Sequence, residues 1–241
     1  MKKFNWPKGK KVGVSITFDA ARFSHPEIGV PILNKYNVKA TFYVSPGNME
    51  HRLSDWEKIV ANGHEIGNHT MTHPCSGNFG FARNNALEDY TLERMEDDIL
   101  SANEIIMKKL GVSPSTFAYP CGQKFVGRGL NTKSYVPLIA KHFIVGRGAF
   151  DEIHNDPSFA DLAQATAMDI DSASFEKVKS LIERALMDEG WLILFGHEIG
   201  IGGGQTILAD TLEKLCQYAQ DPANGIWIDT VANIGNYIMP E

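Results

Sequence analysis

The amino-acid sequence predicts a single α/β domain built around a mostly parallel β-sheet. Stretches typical of strands and of helices alternate from one end to the other, which is the pattern of a parallel sheet with helical crossovers. No repeat, low-complexity tract or linker rich in proline and glycine divides the chain. Its 241 residues are also a length that barrels of alternating strands and helices commonly reach as one unit. We therefore expect residues 1–241 to form one domain.

Seven short runs, most of them rich in β-branched and aromatic residues, are predicted to be strands. They are VGVSITF (12–18), KATFYVS (39–45), HEIGN (64–68), STFAY (115–119), HFIVG (142–146), WLILF (191–195) and IWIDT (226–230). Five stretches between them are predicted to be helices, at 28–36, 54–61, 84–110, 174–188 and 207–219. The helix at 84–110 is the best defined, because its apolar residues recur along one face and Gly111 follows its end.

Composition and charge narrow the classes of partner. With 43% hydrophobic and 22% charged residues, the chain has the composition of an ordinary globular protein. A net charge of -6 gives no general attraction to nucleic acid or to an anionic membrane, so a neutral or cationic substrate is favoured. No apolar run is long enough to span a bilayer, and the start MKKFNWPKGKK lacks the apolar segment of a signal peptide. We expect a cytoplasmic protein, although a secreted chain trimmed of its signal peptide would look the same.

The cysteines give no sign of a metal knuckle or a redox pair. Cys75, Cys121 and Cys216 are far apart, odd in number and without a C-x-x-C spacing. We therefore expect no disulfide framework, and we expect Cys121 to be a buried, inert thiol rather than a nucleophile.

His69 and His73 form the clearest candidate metal pair. Their i, i+4 spacing on one helical turn would point both imidazoles the same way, as two ligands of one ion require. The strand predicted at 64–68 leads directly into His69. The pair is therefore expected at the carboxyl edge of the sheet, where barrel enzymes place their active sites.

Three other groups follow predicted strands in the same way. Asp19 follows VGVSITF, the segment 119–122 follows STFA, and His197 follows WLILFG. Taken singly, Asp19 could be a helix N-cap, Pro120-Cys121-Gly122 a plain turn and His197 a core histidine. Because the carboxyl ends of parallel strands share one edge, the four groups together predict one active site.

These residues resemble the motifs of the polysaccharide deacetylases of carbohydrate esterase family four, also called the NodB-homology domain. The resemblance covers nearly the whole chain and rests on Thr17-Phe18-Asp19, His69-Thr70-Met71-Thr72-His73, Tyr119-Pro120-Cys121-Gly122 and Leu194-Phe195-Gly196-His197. It implies an α/β fold of the family's kind, an irregular, incompletely closed (β/α) barrel of about seven strands. It also implies a hydrolase that removes acetyl groups from an acetylated sugar or oligosaccharide, with no nucleic-acid or membrane partner.

The resemblance assigns a role to each residue of the predicted site. A divalent ion on His69 and His73 would activate water; zinc is the default for imidazole ligands, and cobalt, nickel or manganese also fit. Asp19 would be the general base and His197 the general acid, oriented by Asp169 or Asp171. The backbone N–H of Cys121, beside Tyr119, would hold the oxyanion, and Phe195 would line the acetyl pocket. The arginine that the family carries in its third motif is missing here, and Arg22 is a candidate to replace it.

Ala20 departs from the family at the position of the third metal ligand. An alanine binds no ion, so a two-histidine site should hold metal more weakly than a three-ligand site. Three interpretations follow: Asp19 turns to the metal and another group serves as base, Ala20 is an engineered change that traps substrate, or the natural protein is a weak or inactive relative. Two other functions stay open, an amidohydrolase of a small cyclic amide and an inactive carbohydrate-binding relative. The sequence does not decide between N- and O-acetyl groups, and it does not indicate an oligomeric state.

Overall fold

Eight parallel strands form the framework of the protein in the computed structural model, which describes residues 4–239. The sheet curls into an incompletely closed barrel, so the predicted fold class is confirmed. The strands are β1 (Val12–Asp19), β2 (Thr41–Val44), β3 (Glu65–Asn68), β4 (Thr116–Ala118), β5 (Val145–Arg147), β6 (Met168–Asp169), β7 (Trp191–Gly196) and β8 (Ile226–Ile228). The ends of the predicted domain, residues 1–3 and 240–241, lie outside the described residues.

The strands follow the order β5-β4-β3-β2-β1-β7-β6, and β8 pairs with β1 off this path. β1 is the central strand: Thr17 is in register with Thr41 of β2, and Gly13 with Trp191 of β7. Each of the seven predicted strands corresponds to a strand of this sheet. The eighth, β6, was not predicted because it has only two residues, which pair with Leu194 and Phe195.

Helices connect the strands and cover the sheet. They are α1 (Val30–Lys35), α2 (Pro46–Glu50), α3 (Leu53–Ala61), α4 (Leu92–Leu110), α5 (Val136–His142), α6 (Phe175–Met187), α7 (Ala209–Gln220) and α8 (Val231–Ile238). The short helices α2, α5 and α8 were not predicted, and a π-helical turn at His25–Gly29 precedes α1. None of the helices in residues 4–239 has both the length and the apolar character that crossing a membrane requires.

The predicted start of the long helix at residue 84 is wrong. Helix α4 begins at Leu92, because the side chain of Thr91 caps it by accepting a hydrogen bond from the backbone N–H of Arg94. The preceding segment forms two short 3₁₀ turns, Gly80–Asn85 and Leu87–Asp89. The predicted end is confirmed, with Gly111 in the left-handed conformation that helix C-termini favour.

The expectation that Cys121 is an inert thiol is also wrong, and the expectation of no disulfide framework overlooked one disulfide. Cys75 and Cys121 form a disulfide, with their Cα atoms 6.3 Å apart across 46 residues of sequence. Sequence spacing did not indicate this pair because β3 and β4 are adjacent only in the folded sheet. The disulfide joins the segments that leave these two strands. Cys216 is the buried, unpaired thiol.

Candidate active site

A cavity of about 490 Å³ opens at the carboxyl edge of the sheet. Its walls include nine residues that the sequence predicts for the site: Asp19, Ala20, Arg22, His69, His73, Tyr119, Cys121, Phe195 and His197. Asp19 is the last residue of β1, His69 follows β3, Tyr119 follows β4, and His197 follows β7. The parallel direction of the strands thus brings together groups that are up to 178 residues apart in sequence.

Asp19 is held as a buried carboxylate by an arginine that the sequence analysis missed. Arg147, the last residue of β5, makes an ion pair with Asp19, and its side chain is fully buried. Burial alone would raise the pKa of Asp19, but the charge and hydrogen bond of Arg147, together with the nearby His69 and His197, outweigh it and hold the pKa below its usual value. The guanidinium also lies over the rings of Tyr43 and Phe195, at 4.9 and 5.0 Å. Asp19 is therefore ionised at neutral pH.

Arg22 does not take the place of the family's missing arginine. Its Nε atom lies 3.9 Å from Glu198, on the rim of the cavity, and Arg147 occupies the position beside Asp19. A signal for Arg147 was present in the sequence, because it directly follows the predicted strand HFIVG just as Asp19 follows VGVSITF. The other site residues were identified because they follow a predicted strand, and Arg147 meets the same criterion.

Ala20 and Ala21 form a strained turn at the end of β1. Their φ angles are 69° and 48°, in the left-handed region that asparagine and aspartate tolerate better than alanine. The turn is fixed by a hydrogen bond from Ala20 N to Tyr43 O and by one from Asn48 Nδ2 to Ala20 O. The backbone at position 20 is therefore already suited to an aspartate.

His69 is oriented as a metal ligand would be. Its Nδ1 donates a hydrogen bond of 2.9 Å to the carbonyl oxygen of Ala118, which leaves Nε2 with a free lone pair. Nε2 lies 4.0 Å from Asp19 Oδ2. Burial lowers the pKa of His69 to about 3, so the ring is neutral at neutral pH. Burial also lowers the pKa of His73.

The prediction that His69 and His73 share a helical turn is wrong, although the two rings do meet. The segment 69–73 is an irregular loop in which Thr70 and His73 have φ angles of 65° and 50°. Its backbone is held by Asn68 Oδ1 on Thr70 N, by Thr70 Oγ1 on His73 N and by Asp98 of α4 on Met71 N. The ring centroids of His69 and His73 lie 4.8 Å apart. A fixed loop thus achieves the convergence expected of a helix.

Asp171 holds the side chain and the backbone N–H of His197, and His25 contacts its carbonyl oxygen. Its Nδ1 lies 2.6 Å from Asp171 Oδ2, and its backbone N–H donates to Asp171 Oδ1 at 3.0 Å. Burial would lower the pKa of His197, but Asp171 and the charge of Asp19 outweigh it and raise the pKa above its ordinary value. The buried His25 ring contacts the carbonyl oxygen of His197 at 2.7 Å. Asp169 accepts a hydrogen bond from the backbone N–H of Asp171, so Asp171 is the carboxylate that contacts His197.

The remaining predicted residues line the cavity from β4 and β7. The hydroxyl of Tyr119 donates to Ala163 O at 2.6 Å, so this side chain is anchored in the protein. Cys121 has a φ angle of 53° in the tight turn after Pro120, where its sulfur is bonded to Cys75. Phe195 packs edge-on against Phe150, with ring centroids 5.1 Å apart, and these two rings form an apolar wall.

The side chains of His69, His73 and Asp19 supply part of the ligand set that a divalent ion would need. The buried imidazole of His69 and the half-buried imidazole of His73 converge beside a carboxylate, which are ligand types that zinc, cobalt and nickel accept. Position 20 supplies no ligand atom. Chemically, the site combines an ionised carboxylate and a carboxylate-paired imidazole around a small cavity, which are the groups that general base and general acid catalysis needs.

Comparison with known proteins relates these features to one family. A family described as "Polysaccharide deacetylase" matches residues 7–133. A peptidoglycan-N-acetylglucosamine deacetylase of Bacillus cereus is 31% identical over 116 residues, which are 47% of this chain and 38% of that protein. The chain spans 22% to 43% of the length of the curated relatives it matches.

Solved structures share the fold at low sequence identity. A putative polysaccharide deacetylase from Mycobacterium smegmatis superposes with a TM-score of 0.70 at 18% identity, over 98% of this chain and 93% of that chain. BA3943 of Bacillus anthracis, described as a CE4 family pseudoenzyme, gives a TM-score of 0.57 at 19% identity, over 94% of this chain and 66% of that chain.

Proposed function

Because the chain belongs to the polysaccharide deacetylase family, we propose that it is a hydrolase that removes an acetyl group from an acetylated carbohydrate. The observation that carries the proposal is that two titratable groups, Asp19 and His197, line one cavity, and that each is held by a charged partner. Asp19 is kept ionised by Arg147, and the pKa of His197 is raised beside Asp171. Their pKa values are pushed apart in the directions that a base and an acid need at neutral pH.

The two groups would divide the proton transfers of hydrolysis between them. Asp19 takes a proton from the attacking water, because it is ionised and its Oδ2 faces the imidazole pair. His197 donates a proton to the leaving nitrogen or oxygen of the sugar, because Asp171 holds Nδ1 and leaves Nε2 for the cavity. Arg147 keeps Asp19 in place during both steps, because its buried guanidinium makes an ion pair with that carboxylate.

Other residues would bind the acetyl group. Phe195 and Phe150 form an apolar wall against which the methyl of the acetyl group would pack. The backbone of Cys121, in its tight turn after Pro120, is the candidate donor to the oxyanion. A divalent ion held by His69 and His73 would supply a Lewis acid for the carbonyl and lower the pKa of water. The lack of a ligand at Ala20 predicts weak metal binding.

Replacing Ala20 by aspartate tests the proposal. The left-handed backbone at this position suits an aspartate, so we expect Ala20→Asp to fold normally. A third ligand should strengthen zinc binding by about tenfold or more, and release of acetate should rise at least in proportion. Zinc affinity is measured by calorimetry and acetate by enzymatic detection, with acetylated chitooligosaccharides and peptidoglycan as substrates.

Ala20→Asn is the matched control, because its side chain has the same shape without the charge. It should fold as well as Ala20→Asp but give little of the gain in zinc affinity. If folded, zinc-loaded Ala20→Asp releases no acetate from any acetylated carbohydrate, the deacetylase proposal is refuted. Binding of those carbohydrates without hydrolysis would then support the inactive, carbohydrate-binding function, and ring opening of a cyclic amide would support the amidohydrolase.

A further inference from the structure

We propose that His73, Cys75 and Cys121 form an alternative metal site, which shares His73 with the proposed His69–His73 pair, exists only when the disulfide is reduced and binds a thiophilic ion such as Zn²⁺. The donor atoms of these three residues lie within 4.8 Å of one another. They stand on the two loops that leave β3 and β4, and two of them, His73 and Cys121, line the cavity. The proposal does not depend on deacetylase activity, because it concerns metal binding by the thiolates.

The geometry of the three residues approaches that of a tetrahedral zinc site. With Zn–S bonds of about 2.3 Å and Zn–N bonds of about 2.0 Å, neighbouring donors in a tetrahedron lie roughly 3.5 to 3.8 Å apart. His73 Nδ1 is already 3.7 Å from Cys75 Sγ. The two sulfur atoms must move apart, and a Cα separation of 6.3 Å allows this by side-chain rotation; the donor of His73 already lies within 4.8 Å of Cys121 Sγ.

The local sequence and the exposure of the groups support this assignment. His73 and Cys75 are separated only by Pro74, so a rigid segment fixes two of the three ligands relative to each other. Cys121 lines the cavity, which gives a reductant and a metal ion a route to the sulfur atoms. Two of the three cysteines of the chain converge on a histidine in this way, while Cys216 is buried elsewhere in the core.

The chemistry of the switch balances in two steps. Two molecules of a small thiol reduce the disulfide: the S–S bond of Cys75 and Cys121 breaks, each cysteine gains one proton and one electron, and the small thiols leave as their own disulfide. Zn²⁺ then displaces the two thiol protons to solvent, and the ion with its two thiolates carries no net charge. Oxidation and metal binding are therefore mutually exclusive.

Co²⁺ alone is a suitable probe, because thiolate ligands give it an intense near-ultraviolet charge-transfer absorption that imidazole ligands do not. The full chain is reduced with a dithiol, the dithiol is removed under anaerobic conditions, and the protein is titrated with Co²⁺. We expect the absorption to saturate at one equivalent, to disappear on addition of Zn²⁺, and to be missing from the oxidised chain. His73→Ala should weaken Co²⁺ binding by about tenfold or more.

Substitutions separate this site from the proposed deacetylase site. The double variant Cys75→Ala, Cys121→Ala should lose the absorption, while Cys216→Ala should keep it. His69→Ala should also keep the absorption, although this substitution removes one of the two proposed metal ligands of the deacetylase site. The proposal is overturned if the reduced chain, folded by circular dichroism, binds Co²⁺ without the absorption, or if the double variant retains it. The oxidised chain needs no substitution and serves as the reference if a variant does not fold.

Discussion

The two nitrogen atoms of His197 have different partners. Nδ1 lies 2.6 Å from Asp171, whereas Nε2 faces the cavity with Gln205 at 3.5 Å. A carboxylate on Nδ1 fixes the tautomer of the ring and favours its protonated form. The contact with Asp171 is therefore one structural cause of the raised pKa of His197, beside the charge of Asp19, and removing that contact should lower the pKa.

We expect Asp171→Asn to lower the pKa of His197, because the amide carries no charge to stabilise the imidazolium. The acid form of His197 is present below its pKa and is lost as the pH rises through it. The alkaline limb of the rate profile should therefore move to lower pH, and acetate release at neutral pH should fall about ten- to hundredfold. NMR titration of the His197 ring measures the pKa without relying on activity.

Asp169→Asn is the matched control, because the carboxylate of Asp169 accepts a hydrogen bond from the backbone N–H of Asp171 rather than from the His197 ring. It should leave the pKa of His197 close to that of the wild type. If Asp169→Asn lowers this pKa and Asp171→Asn does not, the assignment of Asp171 as the orienting residue is wrong.

At the scale of the elements, the pair of Asp19 and Arg147 ties the central strand β1 to the edge strand β5. In the sheet these strands are separated by β2, β3 and β4, so the contact spans the inside of the curled sheet. Both side chains are buried. Removing one member of a buried pair leaves an uncompensated charge, which is a much larger cost than losing an exposed pair.

We therefore expect Arg147→Met to lower the free energy of unfolding by about 3 to 5 kcal/mol at neutral pH. The difference from the wild type should narrow as the pH falls. In the variant, protonation removes the unpaired charge of Asp19, whereas in the wild type the stabilisation by the pair is lost as the pH falls through the lowered pKa of Asp19. Urea unfolding at several pH values measures both effects.

Arg22→Met is the comparison, because Arg22 was the arginine expected beside Asp19 and its side chain is 37% exposed. Its loss should cost less than about 1 kcal/mol. Equal destabilisation by the two substitutions would contradict the role of Arg147 as the partner of Asp19.

The elements also show what the sequence could predict. Runs rich in β-branched and aromatic residues predicted seven of the eight sheet strands, and the polar groups that follow four of these runs predicted the shared edge. The loop at 69–73 was mistaken for a helical turn, because its conformation depends on Asp98 of α4, 25 residues beyond His73. The disulfide depends on a contact across 46 residues, which no local pattern encodes. Arg147 follows a predicted strand, but the sequence does not show that it pairs with Asp19, which lies 128 residues away.

At the scale of the whole molecule, the disulfide reinforces the sheet where its strands pair least. β3 and β4 share a single register pair, Asn68 with Phe117, whereas β1 and β7 share six. The disulfide between Cys75 and Cys121 lies just beyond this short pairing, and Cys121 lines the cavity. The two loops that carry His73 and Cys121 are therefore held together by the disulfide more than by the sheet.

Reduction of the disulfide should accordingly destabilise the fold. Closing a loop of 46 residues lowers the entropy of the unfolded chain by an amount worth about 4 kcal/mol. We expect the free energy of unfolding in urea, measured without metal, to fall by roughly this amount when a dithiol is present. Cys216→Ala should show the same difference between its oxidised and reduced forms, since Cys216 forms no disulfide. The double variant Cys75→Ala, Cys121→Ala should show none, and its stability should lie near that of the reduced wild type. A wild-type chain that is equally stable in both states would mean that β3 and β4 hold their loops without the covalent link.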